Sequence, residues 1–137
     1  MALAIGRIGC FFNGDDYGLP VTEVTYYPSQ LGVVFPALGD NLTRVPTQIL
    51  ETIVCLVLVA SSLIAKEKIK EIPAGFSGLV LTLGYGIYRF FAENMRGDYR
   101  GELISSQLTP SQHVSILLIS ISLIVLFYLL KLTQKNE

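Results

Sequence analysis

Arg89, Glu93 and Arg96 are spaced four and then three residues apart, which puts them on one face of a helix. Tyr85 falls four residues earlier on the same face. Two readings of this row are open. It is a salt-bridged helix end whose long side chains reach to an interface. Or it is an anion site, because a planar guanidinium holds a phosphate through two parallel hydrogen bonds. A second group surrounds Arg7, in the run Gly6-Arg7-Ile8-Gly9-Cys10-Phe11-Phe12-Asn13-Gly14-Asp15-Asp16-Tyr17-Gly18. Its glycines permit tight turns and close backbone approach. Asn13, Asp15 and Asp16 set polar groups beside an apolar stub, and the plainer reading is a turn-rich loop with solvated acids. A calcium loop of the EF-hand type is excluded, since the alternating oxygen ligands and closing glutamate are missing. A third group, Pro46-Thr47-Gln48-Ile49-Leu50-Glu51, places Gln48 and Glu51 on one helix face. Thr47 or Gln48 could cap that helix. Glu51 lies too deep for a cap and is expected to pair with Arg7 or Arg89. His113, the single histidine, reads as interfacial rather than catalytic and argues against a histidine-based metal site.

These residues sit in an apolar chain. Of 137 residues, 51% are hydrophobic and 15% charged, with a net charge of −1. Ordinary soluble domains carry roughly 25% charged residues. Without a basic excess, binding to nucleic acid through phosphate contacts is not expected. Cys10 and Cys55 do not form a disulfide framework, and Cys55, inside an apolar run, reads as a small hydrophobe. The start, Met1 to Arg7, lacks the basic region and apolar length of a signal peptide.

Three long apolar runs must position the polar groups: about 47–65, 74–92 and 114–130. A spanning helix needs about 20 apolar residues. The third run qualifies outright, and the first two qualify if one charge each, Glu51 and Arg89, is tolerated. Charges inside such runs are functional candidates by default. Pro46 suits the start of the first helix, and Ile72-Pro73-Ala74-Gly75 the start of the second. Gly97-Asp98 is expected to stop the second helix, and Thr109 to cap the third ahead of Pro110. Lys66, Lys68 and Lys70 in one short loop, with Lys131 and Lys135 in the tail, place those segments in the cytoplasm. The segment 93–113 and residues 1–46 then face outward, and the embedded charges gather in the outer leaflet. Residues 14–46 are expected to be irregular, with a short strand pair over Glu23–Tyr27 and Leu31–Phe35. The expected architecture is an all-α integral membrane protein forming one membrane domain over 1–137. It has about three transmembrane helices over 47–137 and an outer-face loop and half-helix region over 1–46.

In order and separation, the three polar blocks resemble the bacterial prolipoprotein diacylglyceryl transferase family. Gly6-Arg7-Ile8-Gly9 with Phe11, Asn13-Gly14 and Gly18 resembles that family's arginine-and-asparagine signature. Pro46-Thr47-Gln48-Ile49-Leu50-Glu51 resembles its second block. Gly84-Tyr85-Gly86-Ile87-Tyr88-Arg89, followed by Glu93, Arg96 and Asp98, resembles its third, and Ser111-Gln112 matches a pair near its last helix. Departures are local: Cys10 replaces the usual signature asparagine, Asp15 stands where glutamate is common, and Val45 and Leu50 replace a histidine and a tyrosine. The family is about twice this length, and its N-terminal half, with a His-Gly-Gly segment, has no counterpart here.

The resemblance implies a multi-pass enzyme of the bacterial inner membrane with its active face outward. It would move a diacylglyceryl group from phosphatidylglycerol to the lipobox cysteine thiol of a prolipoprotein. Membrane lipid, phosphatidylglycerol and the lipobox peptide are the implied partners, with a complementing N-terminal half as a further candidate. By position, Arg7, Arg89, Glu51, Tyr85 and Glu93 are the implied catalytic residues. Asn13, Asp15, Gln48 and Arg96 are implied to bind substrate. The chemistry agrees: a phosphate monoester departs, cations must hold its charge, and no metal or organic cofactor is called for. The alternative is a non-catalytic membrane protein that binds anionic lipid headgroups or a partner chain.

Overall fold

The computed structural model describes residues 1–68, 75–98 and 108–135. Lys70, the Ile72–Ala74 helix start, Arg100 and Glu102 lie outside the described residues. The chain forms two compact units. The first comprises Met1–Leu56 and Phe91–Gly101, the second Val57–Phe90 and Glu102–Glu137. The helices are α1 (Ala2–Asn13), α2 (Thr47–Lys68), α3 (Phe76–Ala92) and α4 (Pro110–Lys135).

In the first unit the segment from Gly6 to Asn13 is helical rather than a loop. Apolar residues dominate α1, and Gly6 and Gly9 sit where nothing lies within 4 Å of a Cβ, so their cost is only propensity. The helix ends at Gly14, which takes a left-handed conformation with φ of 78°. The Asp15 N–H bonds the Cys10 carbonyl at 3.0 Å and the Gly14 N–H bonds the Phe11 carbonyl at 3.3 Å, the paired bonds of a Schellman ending.

The expected pairing of 23–27 with 31–35 is not formed. Residues 23–27 are turns, and Val33–Val34 (β1) instead pairs antiparallel with Thr43–Arg44 (β2). Turn bonds occupy this segment instead: the Val24 N–H reaches Val21 O at 3.4 Å and the Tyr27 N–H reaches Val24 O at 3.2 Å. The extended stretch from Tyr17 to Val21 lies between two neighbours. On one side Pro20 bridges Arg44, the Gly18 N–H bonds Val45 O at 3.0 Å, and the Val45 N–H bonds Leu19 O at 3.0 Å. On the other, Gly18 bridges Arg96 and the Leu19 N–H bonds Met95 O at 2.8 Å. Ala4, Val24, Phe35, Val45, Cys55 and Ala92 form the apolar core of this unit.

The second unit is inside out by the standard of a soluble domain. On α4 the buried positions include Ser115 and Ser122, while Leu117, Ile124 and Phe127 are exposed. On the α2 stretch belonging to this unit, Ser62 is buried while Val57, Leu63 and Ile64 are exposed. Small polar residues inside and apolar residues outside are what helix packing in lipid favours. Two helices, α2 and α4 over Pro110–Leu129, are long and apolar enough to cross a membrane. At 17 residues, α3 rises about 26 Å against a hydrocarbon core of about 30 Å. The expected α4 cap is present: the Gln112 N–H reaches Thr109 Oγ1, and the Thr109 N–H reaches Gln112 Oε1 at 3.0 Å, a capping box.

Candidate functional site

The single-face row expected for Arg89, Glu93 and Arg96 is broken by the structure. The α-helix stops at Ala92, Glu93–Met95 form a 3-10 turn, and Arg96 is extended with ψ of 140°. The reason is tertiary. Arg96 is held in the bridge to Gly18, and its guanidinium bonds Asp16 and Asp98 rather than a neighbour one helical turn away.

In the first unit, Arg7, Asp16, Glu51, Arg96 and Asp98 form a chain of ion pairs. Arg7 sits midway along α1 with its side chain 13% exposed. Its Nε faces Glu51 Oε2 at 3.0 Å, and its Nη1 donates to Asp16 Oδ2. Among the described residues its Nη2 has no hydrogen-bond partner. Arg96 Nη2 donates to Asp16 Oδ1, so one carboxylate joins two arginines. Asp98 takes Arg96 Nε at 2.8 Å and Nη2 at 3.1 Å. Burial alone would lower the Arg96 pKa. The hydrogen bond with Asp98 and the charges of Asp16 and Asp98 outweigh it and hold the guanidinium above its ordinary value.

The start of α2 positions this cluster. Thr47 and Gln48 do not cap the helix. The Thr47 hydroxyl donates to the Asp16 carbonyl at 2.7 Å, and Gln48 Nε2 donates to the Asp15 carbonyl at 2.6 Å. Gln48 Oε1 is buried with no hydrogen-bond partner among the described residues. The Thr52 hydroxyl reaches Gln48 O at 2.9 Å and Ala4 O at 3.3 Å, tying α1 to α2. Glu51, one turn into α2, is 2% exposed and meets Arg7 as the sequence suggests.

Asn13 and Asp15 bond each other on the exposed side of the loop, and Glu93 is buried in the same unit. Asp16, which spacing alone did not separate from Asp15, is the carboxylate that meets both arginines. No sequence signal separates the two, since both follow Gly14, where the helix ends.

In the second unit Tyr85 and Arg89 line a pocket of about 310 Å³ with Pro110, Ser111, Val114, Ser115 and Leu118. Arg89 Nη2 donates to Ser111 Oγ at 3.0 Å. His113 Nδ1 lies 3.0 Å from the Thr109 carbonyl, a contact within the start of α4. Cys10 and Cys55 are free thiols, Cys55 buried. Among the described residues no three of the His, Cys, Asp and Glu side chains gather as a metal site.

Comparison with known proteins adds a family. A model of the prolipoprotein diacylglyceryl transferase family matches residues 1–128. The chain is 36% identical over 142 residues to a protein of Ehrlichia canis (strain Jake) named phosphatidylglycerol–prolipoprotein diacylglyceryl transferase. That alignment covers 100% of this chain and 50% of the relative. A protein of the same name from Wolbachia sp. subsp. Drosophila simulans (strain wRi) is 36% identical over 91% of this chain and 46% of its own length. One from Cupriavidus metallidurans is 32% identical over 92% of this chain and 44% of its own length. The chain thus spans about half the length of the curated relatives it matches. No solved structure matches it significantly.

Proposed function

This chain belongs to the prolipoprotein diacylglyceryl transferase family, and from that premise we propose that its arginines serve the transfer of a diacylglyceryl group from phosphatidylglycerol to the thiol of a lipobox cysteine. The observation that carries this reading is the state of Arg7. Nη1 is held by Asp16, Nε is buried and lies 3.0 Å from Glu51 Oε2 as an ion pair without completing a hydrogen bond, and Nη2 is left without a partner among the described residues. A guanidinium fixed on two sides and open on the third is pre-organised for an anion that arrives from outside the protein.

In the proposed reaction a sulfur–carbon bond forms at the glyceryl carbon as the carbon–oxygen bond to phosphate breaks. The thiol proton ends on the departing glycerol phosphate, which balances charge. Arg7, in the first unit, and Arg89, in the second, are each proposed as a phosphate-holding cation, and Tyr85, which lines the pocket with Arg89, as a hydrogen-bond donor to a headgroup or glyceryl oxygen. Glu51 and Glu93 orient the guanidiniums. Asn13, Asp15, Gln48 and Arg96 shape the substrate-binding surface. Buried and unpaired, Gln48 Oε1 supports a role as an acceptor for a substrate N–H or O–H.

The same reading takes α2, α3 and α4 as three membrane crossings of the bacterial inner membrane, with the arginine cluster at the outward end. Lys66 and Lys68 at the far end of α2 support that orientation. The part of the relatives that this chain does not cover is proposed as a second contributor to the lipid groove, on this chain or on another.

The test is transfer in vitro. The protein in detergent with phosphatidylglycerol and a synthetic lipobox peptide should release glycerol phosphate and add one diacylglyceryl mass to the peptide. Both signals should vanish with Arg7→Ala. A second reading is headgroup binding without transfer, for which the arginine cluster alone would suffice. Binding of phosphatidylglycerol with no glycerol phosphate release would support it and overturn the first.

A further inference from the structure

Asp16 has a backbone φ of 59°, a left-handed value that Asp tolerates better than most residues but that still costs energy. The conformation is held from both sides. Gly14 ends α1 two residues earlier, and the start of α2 pegs the loop through Thr47 on the Asp16 carbonyl and Gln48 on the Asp15 carbonyl. What the fixed backbone achieves is the direction of one carboxylate. Asp16 Oδ2 receives Arg7 from α1, and Asp16 Oδ1 receives Arg96 from a segment 80 residues further along. Asp15, its neighbour, bonds Asn13 on the exposed side.

Two guanidiniums drawn into one place repel each other, and an anion between them removes that penalty. The bridging also fixes Arg7. With Nη1 bonded to Asp16 and Nε drawn to within 3.0 Å of the Glu51 carboxylate, the side chain is held between two charges, and among the described residues Nη2 is the edge left open. Arg96 in turn is locked against rotation by its two bonds to Asp98.

We propose that Asp16 is a positioning residue of the anion site, bridging Arg7 and Arg96 so that the open edge of Arg7 is presented in one orientation to the phosphate of a lipid headgroup. The proposal rests on the headgroup reading of Arg7. Asp16 does not touch the phosphate, and its effect passes through Arg7.

The test titrates short-chain dioctanoyl phosphatidylglycerol into the purified full chain in neutral detergent, with the phosphatidylcholine analogue as control. Asp16→Asn keeps the shape and backbone bonds of the residue but loses the charge. It should weaken phosphatidylglycerol binding about tenfold, the scale of one charge-assisted hydrogen bond. Asp16→Glu should recover most of that affinity, and Glu23→Gln, which removes an exposed carboxylate of the same unit, should change it less than about twofold. The Asp16→Asn loss should disappear in an Arg7→Ala background, which a merely structural defect would not do. Thermal melts of each variant separate unfolding from lost affinity. If Arg7→Ala weakens binding and Asp16→Asn, still folded, does not, the proposal is overturned and the headgroup reading stands. Equal losses for Glu23→Gln and Asp16→Asn also overturn it. If Arg7→Ala binds as the unmodified chain does, the headgroup reading falls and the proposal with it.

Discussion

Gly18→Ala probes how the arginine cluster is assembled, because Gly18 is the point where three distant segments meet backbone to backbone. Its own N–H bonds Val45 O at 3.0 Å, and the next N–H, of Leu19, bonds Met95 O at 2.8 Å. A Cβ on Gly18 would overlap the Val45 carbonyl oxygen. It would also lie 2.8 Å from Val45 Cβ and 2.9 Å from the Met95 carbonyl oxygen. None of these is the tip of a flexible side chain, so the extended segments must part. Overpacking costs about 1–3 kcal/mol. Each of the two backbone hydrogen bonds disturbed adds about 0.5–1.5 kcal/mol. The expected destabilisation is therefore about 2–6 kcal/mol. The same movement pulls Arg96 from Asp16, so phosphatidylglycerol affinity should fall as well. Chemical unfolding of the purified chain in detergent, followed by circular dichroism, measures the first effect. Gly6→Ala is the matched control. No atom lies within 4 Å of its Cβ, and alanine in a helix should gain about 0.5–1 kcal/mol. A Gly18→Ala protein within about 0.5 kcal/mol of the parent, with intact lipid binding, would refute the argument that close backbone approach builds the site.

Other expectations follow from the same contacts. Arg7→Ala takes from the buried Glu51 carboxylate its ion-pair partner and should destabilise the chain by about 3 kcal/mol. Adding Glu51→Gln should return part of that loss in the same unfolding assay. In the second unit, a Cβ at Gly86 would stand 3.1 Å from Ile119 Cγ1 and 3.5 Å from Ser115 O. Gly86→Val should therefore cost about 1–3 kcal/mol by overpacking, whereas Gly78→Ala, helical and with open space, should gain about 0.5–1 kcal/mol as at Gly6. The hydrogen bond from Arg44, then that from the Leu42 N–H, holds the Asp40 carboxyl below its ordinary value of 3.8. Its contribution is present above that ordinary value and is lost as pH falls through the depressed one. Melting of Asp40→Asn should accordingly be less sensitive than the parent to acidification toward about pH 3.

Much of the helical framework was legible because its signals are local. The apolar runs indicate α2, α3 and α4 with boundaries shifted by a few residues, Thr109 indicates the cap of α4, and the depth of Glu51 points to an arginine partner, Arg7 or Arg89, of which Arg7 lies 3.0 Å away. The rest depends on contacts between segments far apart in the chain. Nothing in the composition of 17–21 says that it pairs with 43–45 on one edge and 95–97 on the other. Residues 23–27 alternate well enough to look like a strand, yet their expected partner, Val33–Val34, pairs with Thr43–Arg44 instead. Arg96 left its expected helix face because Asp16 and Asp98 offer a closer charge than a residue one turn away. Asp15 and Asp16 are adjacent and chemically alike, and only the left-handed backbone at Asp16 decides which one turns toward the arginines.

The most direct measurement is prolipoprotein maturation in bacteria depleted of their own transferase. This chain would be expressed alone and beside the part of the Ehrlichia canis relative that it does not cover. The account predicts that the mobility shift of lipidated prolipoprotein returns in one of these arrangements. It should be lost with Arg7→Ala and with Arg89→Ala while the protein remains in the membrane. Maturation that survives both substitutions, or stable membrane insertion with no maturation in either arrangement, would contradict it.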